Sequence, residues 1–206
     1  MSLLVETIKA ENGKLLNLDF HNERMARSLY DLFRMKTKID LESRISVPHS
    51  ASAGVFKCRV LYSDKTTDIE YVKYVRRNVR SLRIVHDNSI SYSYKYTNRE
   101  SINRLFEQRE KCDDILIVRK GMITDSSYAN VVFRDEYGNW YTPSSCLLPG
   151  TRRANLLKNG LIKEASISIS DISDFSEVRL INAMTGIDDS EGIPVSEIFL
   201  LSDLQY

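Results

Sequence analysis

The sequence predicts an α+β chain in two domains, residues 1–80 and 81–206, and three observations lead there. Extended stretches rich in Val, Ile and Tyr are interrupted by single helical patterns, not by the regular alternation of a doubly wound sheet. Hairpin signals recur, beginning with Asn12-Gly13. The length of 206 residues is roughly one and a half average domains, and 42% hydrophobic residues suffice for buried cores.

Leu3-Leu4-Val5-Glu6-Thr7-Ile8 reads as a strand, Asn12-Gly13 as a type I′ turn, and residues 14–18 as the returning strand. Across 20–33 the apolar residues Phe20, Met25, Leu29, Leu32 and Phe33 recur at near-helical spacing, with Asp19 placed to cap the helix. Residues 41–48 carry no clear period. The stretches 55–62 and 67–75 have strand composition and flank Ser63-Asp64-Lys65, so they form a second hairpin.

Residues 80–85 read as extended and lead into the tyrosine-rich segment 91–96. A helix over 101–111 has Ile102, Leu105 and Phe106 on one face. It is followed by a strand at 115–118, a turn at Lys120-Gly121 and a strand at 129–134. Tyr137-Gly138-Asn139 turns the chain into 140–142, a helix spans 151–158 before Gly160, and extended stretches at 177–183 and 198–201 follow.

Twenty-nine basic residues against 28 acidic ones give a net charge of +1, which excludes generic attraction to nucleic acid or to an anionic membrane. Cys58, Cys112 and Cys146 are too scattered for a disulfide framework and lack metal-ligand spacing, so a reducing cytoplasm and no bound metal are expected. Residues 1–10 lack the layout of a leader, and no run approaches the ~18 apolar residues of a membrane span.

Three segments have the composition of a reactive site. Lys95, between Tyr94 and Tyr96 and near Arg99, has the surroundings of an amine nucleophile, although on this segment alone a snorkelling lysine at a surface strand end is the commoner outcome. The loop Leu148-Pro149-Gly150-Thr151 opens a helix without acidic residues in its first turn, which suits an anion or a simple capped helix. In Gly121-Met122-Ile123-Thr124-Asp125-Ser126-Ser127 a carboxylate stands beside hydroxyls, as in a functional site or an Asx turn.

In this order the three segments resemble the class IV aminotransferase family of pyridoxal-phosphate enzymes, which includes 4-amino-4-deoxychorismate lyase. The carriers are Lys95, the strand from Gly121 through Ile123-Thr124-Asp125 to Ala129-Asn130, Thr142-Pro143 and Leu148-Pro149-Gly150-Thr151-Arg152. Val5-Glu6-Thr7-Ile8, His21-Asn22-Glu23-Arg24 and Ile181-Asn182-Ala183-Met184 extend the match over nearly the whole chain.

The resemblance implies a D-amino-acid aminotransferase-like fold, with a small α/β N-terminal domain and a larger pseudo-barrel domain that binds the cofactor. It implies that Lys95 attaches pyridoxal 5′-phosphate and shuttles the proton, and that Asp125 pairs with the ring nitrogen. Arg24, Gly150, Thr151, Asn182 and Ala183 would hold the phosphate. Thr7 and Arg59 are candidates for substrate carboxylate contacts, or structural strand residues.

The chain departs from the family in three places. Asp125 stands where a glutamate is usual, residues 41–54 are pared down, and Ser63-Asp64-Lys65 lacks an arginine-glycine pair. Lys95-Tyr96-Thr97-Asn98-Arg99 and Asn182-Ala183 look closer to the lyase than to the branched-chain aminotransferases. The implied protein is a homodimeric lyase acting on a small molecule, with an aminotransferase as the alternative. A cofactor-free relative is a further alternative. A nucleic-acid module built on Tyr74, Lys73, Arg76, Arg77 and Arg80 is disfavoured, because a strand would send those side chains to both faces.

Overall fold

The structure is a computed structural model describing residues 3–189 and 191–200. The chain divides into two compact units. One comprises Met1–Arg76 with Tyr94–Asn98, the other Arg77–Ser93 with Arg99–Tyr206.

In the first unit, β1 (Leu4–Glu11), β2 (Lys14–Leu15), β3 (Val55–Tyr62) and β4 (Thr67–Lys73) form an antiparallel sheet in the order β2-β1-β3-β4. Asn12 and Gly13 both take positive φ, 48° and 80°, as the two central residues of a type I′ turn require. Leu4, Glu6, Ile8 and Ala10 of β1 are wholly buried, the two-residue period of a strand with one face on a core. Against that face packs α1 (Leu18–Phe33) through Met25 and Leu29, together with Cys58, Val60 and Tyr62 of β3.

The helix begins at Leu18, so the second strand ends at Leu15 instead of running to 18. Asn17, in the left-handed region at φ 63°, is the N-cap in place of Asp19. The tight reversal out of the hairpin starts the helix early and leaves Asp19 in the first turn, where its charge meets the positive helix end. Residues 41–48 contribute only the short α2 (Leu41–Arg44), capped by the Asp40 carboxylate. The segment Tyr94–Asn98 joins this unit along β1. Val5 N–H donates to the Lys95 carbonyl at 2.9 Å, and Thr97 donates through both N–H and hydroxyl to the Leu3 carbonyl.

The second unit contains β5 (Leu82–His86), α3 (Glu100–Phe106), β6 (Asp114–Arg119), β7 (Met122–Ser126), β8 (Asn130–Asp135), β9 (Trp140–Pro143), α4 (Thr151–Lys158), β10 (Lys163–Ala165), β11 (Phe175–Ile181), β12 (Ile193–Pro194) and β13 (Ile198–Phe199). Its strands run in the order β10-β9-β8-β7-β6-β5-β13, with β11 pairing both β8 and β12. Lys120 and Gly121, at φ 53° and 78°, turn β6 into β7. The core is built from Leu82, Ile84, Leu116, Val118, Ile123, Val131, Phe133 and Val178.

Besides β2, the strand expected over 67–75 ends at Lys73, and three elements of the second unit are also shorter than their sequence patterns. The helix over 101–111 gives way to a 3-10 turn at Glu107–Arg109. The strand over 177–183 stops at Ile181, because Asn182 and Thr185 bond each other in a tight turn. Of the stretch 198–201, β13 keeps Ile198–Phe199, and Leu201 lies outside the described residues. All three cysteines are free thiols, and no described helix is long and apolar enough to cross a membrane.

Candidate active site

The first unit holds a buried charged cluster in its core. Glu6 stands on the inward face of β1 between Leu4 and Ile8, while His21 and Arg24, one helical turn apart on α1, face it. Arg24 grips the carboxylate in two places, Nε to Oε1 at 3.0 Å and a terminal nitrogen to Oε2 at 2.6 Å. His21 Nδ1 reaches Oε2 at 2.6 Å, which places a hydrogen on that nitrogen. Burial pushes the Glu6 carboxyl up, but the Arg24 charge and the His21 hydrogen bond prevail and hold it at about 2. For His21 burial prevails over Glu6 and keeps the imidazole below its ordinary range, so it is neutral at pH 7.

The cluster binds the guanidinium of Arg24 in one orientation. Its missing signal in the sequence was phase: Glu6 shares the parity of Leu4 and Ile8, so a strand with a buried face must bury a carboxylate that needs partners. Lys95 is half-buried beside β1, close enough to His21 for its charge to act on the ring. Thr7 and Arg59 are directly paired across β1 and β3 on the face turned away from α1, and Arg59 is bound to Glu70 of β4.

Asp125, Gly150, Thr151, Asn182 and Ala183 all belong to the second unit. Asp125 is buried at the end of β7 and accepts three hydrogen bonds. They come from the Asn130 amide at 2.7 Å and from the N–H groups of Leu147 and Leu148 at 2.6 and 3.1 Å. Burial outweighs those donors and the distant charge of Arg153, pushing the carboxyl up to about 6.

The same Asn130 nitrogen also donates to the Leu148 carbonyl at 2.8 Å, tying the carboxylate to the loop that ends at Gly150. Gly150 is the N-cap of α4, with no side-chain cap and no acidic residue in the first turn. Thr151 is buried as its first residue. At Asn182 the side chain accepts from Met184 N–H at 2.8 Å, closing a turn that presents the Ala183 backbone. No local pattern marks Asn130 as a bridge, because that role depends on loop 147–150 returning to β8.

Residues 58–198 match the family described as Amino-transferase class IV. The chain belongs to the class IV aminotransferase family. An uncharacterized protein of Haemophilus influenzae is 41% identical over 186 residues, covering 89% of this chain and 98% of its own. The crystal structure of a Haemophilus somnus protein provisionally named 4-amino-4-deoxychorismate lyase is 34% identical, with a TM-score of 0.85. It covers 91% of this chain and 98% of that one. A hypothetical aminotransferase of Mycobacterium tuberculosis in a PLP-bound form shares the fold at 16% identity and a TM-score of 0.76, over 96% of this chain and 81% of that one.

Class IV aminotransferases are pyridoxal-phosphate enzymes, and the residues present fit that group. Asp125 is a desolvated carboxylate with no cationic partner within ion-pair reach among the described residues, and a protonated ring nitrogen would fit as such a partner. The first turn of α4 contains no acidic residue and its N-cap no side-chain cap, a helix N-terminus that suits a phosphate.

Proposed function

We propose that this protein is a 4-amino-4-deoxychorismate lyase, releasing pyruvate and leaving 4-aminobenzoate for folate synthesis. The observation that carries the reading is the 34% identity, along nearly the full length of both chains, to the Haemophilus somnus protein that bears this provisional name. The chain is a pyridoxal-phosphate-dependent enzyme. When bound, the cofactor supplies an electron sink for the charge left as a proton departs beside the substrate nitrogen.

The chain's own residues divide the remaining work. Lys95 Nζ would hold the cofactor, and the same amine would take the proton from the substrate ring carbon that bears the amino group. The electron pair left behind expels the side chain as enolpyruvate by breaking its C–O bond, and the ring becomes aromatic. Asp125 holds the proton on the cofactor's ring nitrogen. Arg24, fixed by Glu6, and the α4 N-terminus at Gly150 and Thr151 bind the phosphate, with the turn at Asn182 and Ala183 adding backbone donors. Thr7 and Arg59 face the substrate carboxylates. We assign the protein to the cytoplasm as a homodimer.

The test is pyruvate formation from 4-amino-4-deoxychorismate by the purified, cofactor-loaded protein. Release of pyruvate with 4-aminobenzoate in equal amounts supports the reading. Conversion of the cofactor to its amine form by an amino donor alone, with no pyruvate from the chorismate derivative, overturns it in favour of an aminotransferase.

A further inference from the structure

No step of the proposed reaction falls to Asn130, yet three pieces of the second unit assigned to the cofactor meet at it. Its backbone opens β8 and is registered against Asp125 of β7 and against Ile181 of β11, one residue before Asn182. Its buried side chain donates to Asp125 Oδ1 at 2.7 Å and to the Leu148 carbonyl at 2.8 Å from the same nitrogen. An amide nitrogen has two hydrogens, so both are engaged and the group cannot turn without losing a bond. The amide oxygen is thereby set against Gly150, where it occupies the space of a Cβ.

Asp125 also accepts at Oδ2 from the N–H groups of Leu147 and Leu148, at 2.6 and 3.1 Å. The carboxylate and the loop are therefore joined twice, once directly through Oδ2 and once from Oδ1 through Asn130 to the loop carbonyl. All these donors are neutral, so they orient the carboxylate without cancelling its charge. A lysine or arginine at 130 would neutralise Asp125 and leave no charge for a protonated ring nitrogen. Two residues beyond Leu148, Gly150 caps α4. Asp125 and the start of that helix cannot shift independently while Asn130 holds both.

We propose that Asn130 is a positioning residue that couples the ring-nitrogen end of the cofactor site to its phosphate end, so that each end binds more tightly when the other is engaged. The coupling rests on the roles given above to Asp125 and Thr151, and not on which reaction follows. Asn130 acts through Asp125 and through the loop 147–150.

The test is a double-mutant cycle on the affinity of the full-length, cofactor-stripped protein for pyridoxal 5′-phosphate, read from visible absorbance during titration. Asp125→Asn weakens the ring end and Thr151→Val the phosphate end. With Asn130 in place, the double variant should lose less than the product of the two single losses, by roughly five-fold or more. In Asn130→Ser the two losses should simply multiply. A residue that only supports the fold would lower every affinity alike and leave the non-additivity intact, and that result would overturn the coupling. Losses that already multiply with Asn130 in place overturn it too. If Asn130→Ser does not fold, Asn130→Ala is read in the same way.

Failure of the underlying readings looks different. If Asp125→Asn and Thr151→Val each bind the cofactor as wild type does, their assigned roles are refuted and the coupling falls with them. Non-additivity that depends on Asn130, in a protein that releases no pyruvate from 4-amino-4-deoxychorismate, supports the coupling and refutes the lyase reading alone.

Discussion

Asp125 and Asn130 are the single registered pair joining β7 to β8, and the Asn130 amide donates to the Asp125 carboxylate at 2.7 Å. The same side chain fills the space that any substituent on Gly150 would need: a Cβ there would lie 2.1 Å from Asn130 Oδ1. One amide therefore sets both the carboxylate assigned to the ring nitrogen and the start of the helix assigned to the phosphate.

Gly150→Ala should accordingly act through Asn130. The buried amide is tied to Asp125 and to the Leu148 carbonyl, so it has no slack, and displacing it costs both bonds. The expected loss is about 2 kcal/mol, from overpacking and buried polar groups left unpaired. Urea unfolding of Gly150→Ala against wild type measures it; a variant as stable as wild type would show that Asn130 moves freely.

Asp125 predicts a pH dependence of the cofactor-free protein. Its folded pKa is raised from 3.8 to about 6, so the fold favours the protonated form. That contribution is fully present below about pH 4 and is lost as the pH rises through about 6, a total of about 3 kcal/mol. Between pH 4 and 7.5 the cofactor-free wild type should therefore lose stability relative to Asp125→Asn, as read by denaturant unfolding at each pH. Parallel curves for the two proteins would rule out the burial argument.

What the sequence disclosed was mostly local, and what it withheld depended on distant parts of the chain. The Asn12-Gly13 and Lys120-Gly121 turns need left-handed residues, and the sequence names them. The helix Thr151–Lys158 is bounded by chemistry within two residues of each end, and its expected limits agree with the observed ones. By contrast, the partners of Glu6 lie 15 and 18 residues away on a helix, and two of the three partners of Asp125 arrive on a loop 22 and 23 residues later. Lys95 shows the same limit, since no local pattern announces that a segment beyond residue 80 returns to β1.

The Glu6 cluster should appear in acid unfolding. Its folded pKa lies near 2 against an ordinary 4.5, so its contribution is present above about pH 4.5 and is lost as the pH falls through about 2. The size is about 3 kcal/mol. Glu6→Gln should erase that part of the acid slope and, at pH 7, cost about 3–5 kcal/mol by leaving the Arg24 charge buried and unpaired. Unfolding free energies of the two proteins at pH 3 and pH 7 test this; an unchanged difference between the two pH values would contradict it.

Lys95 allows the cofactor assignment to be separated from the fold. The Lys95 carbonyl and Thr97 bond its segment to β1. Lys95→Ala keeps both groups, and its stability should stay within about 1 kcal/mol of wild type. Wild type purified with pyridoxal phosphate should be yellow, and borohydride should fix the cofactor's mass onto the peptide containing Lys95. Lys95→Ala should fold normally, lack the visible band and yield no fixed peptide. If cofactor is fixed on another lysine in wild type, or is still fixed in Lys95→Ala, then Lys95 is not the anchoring amine.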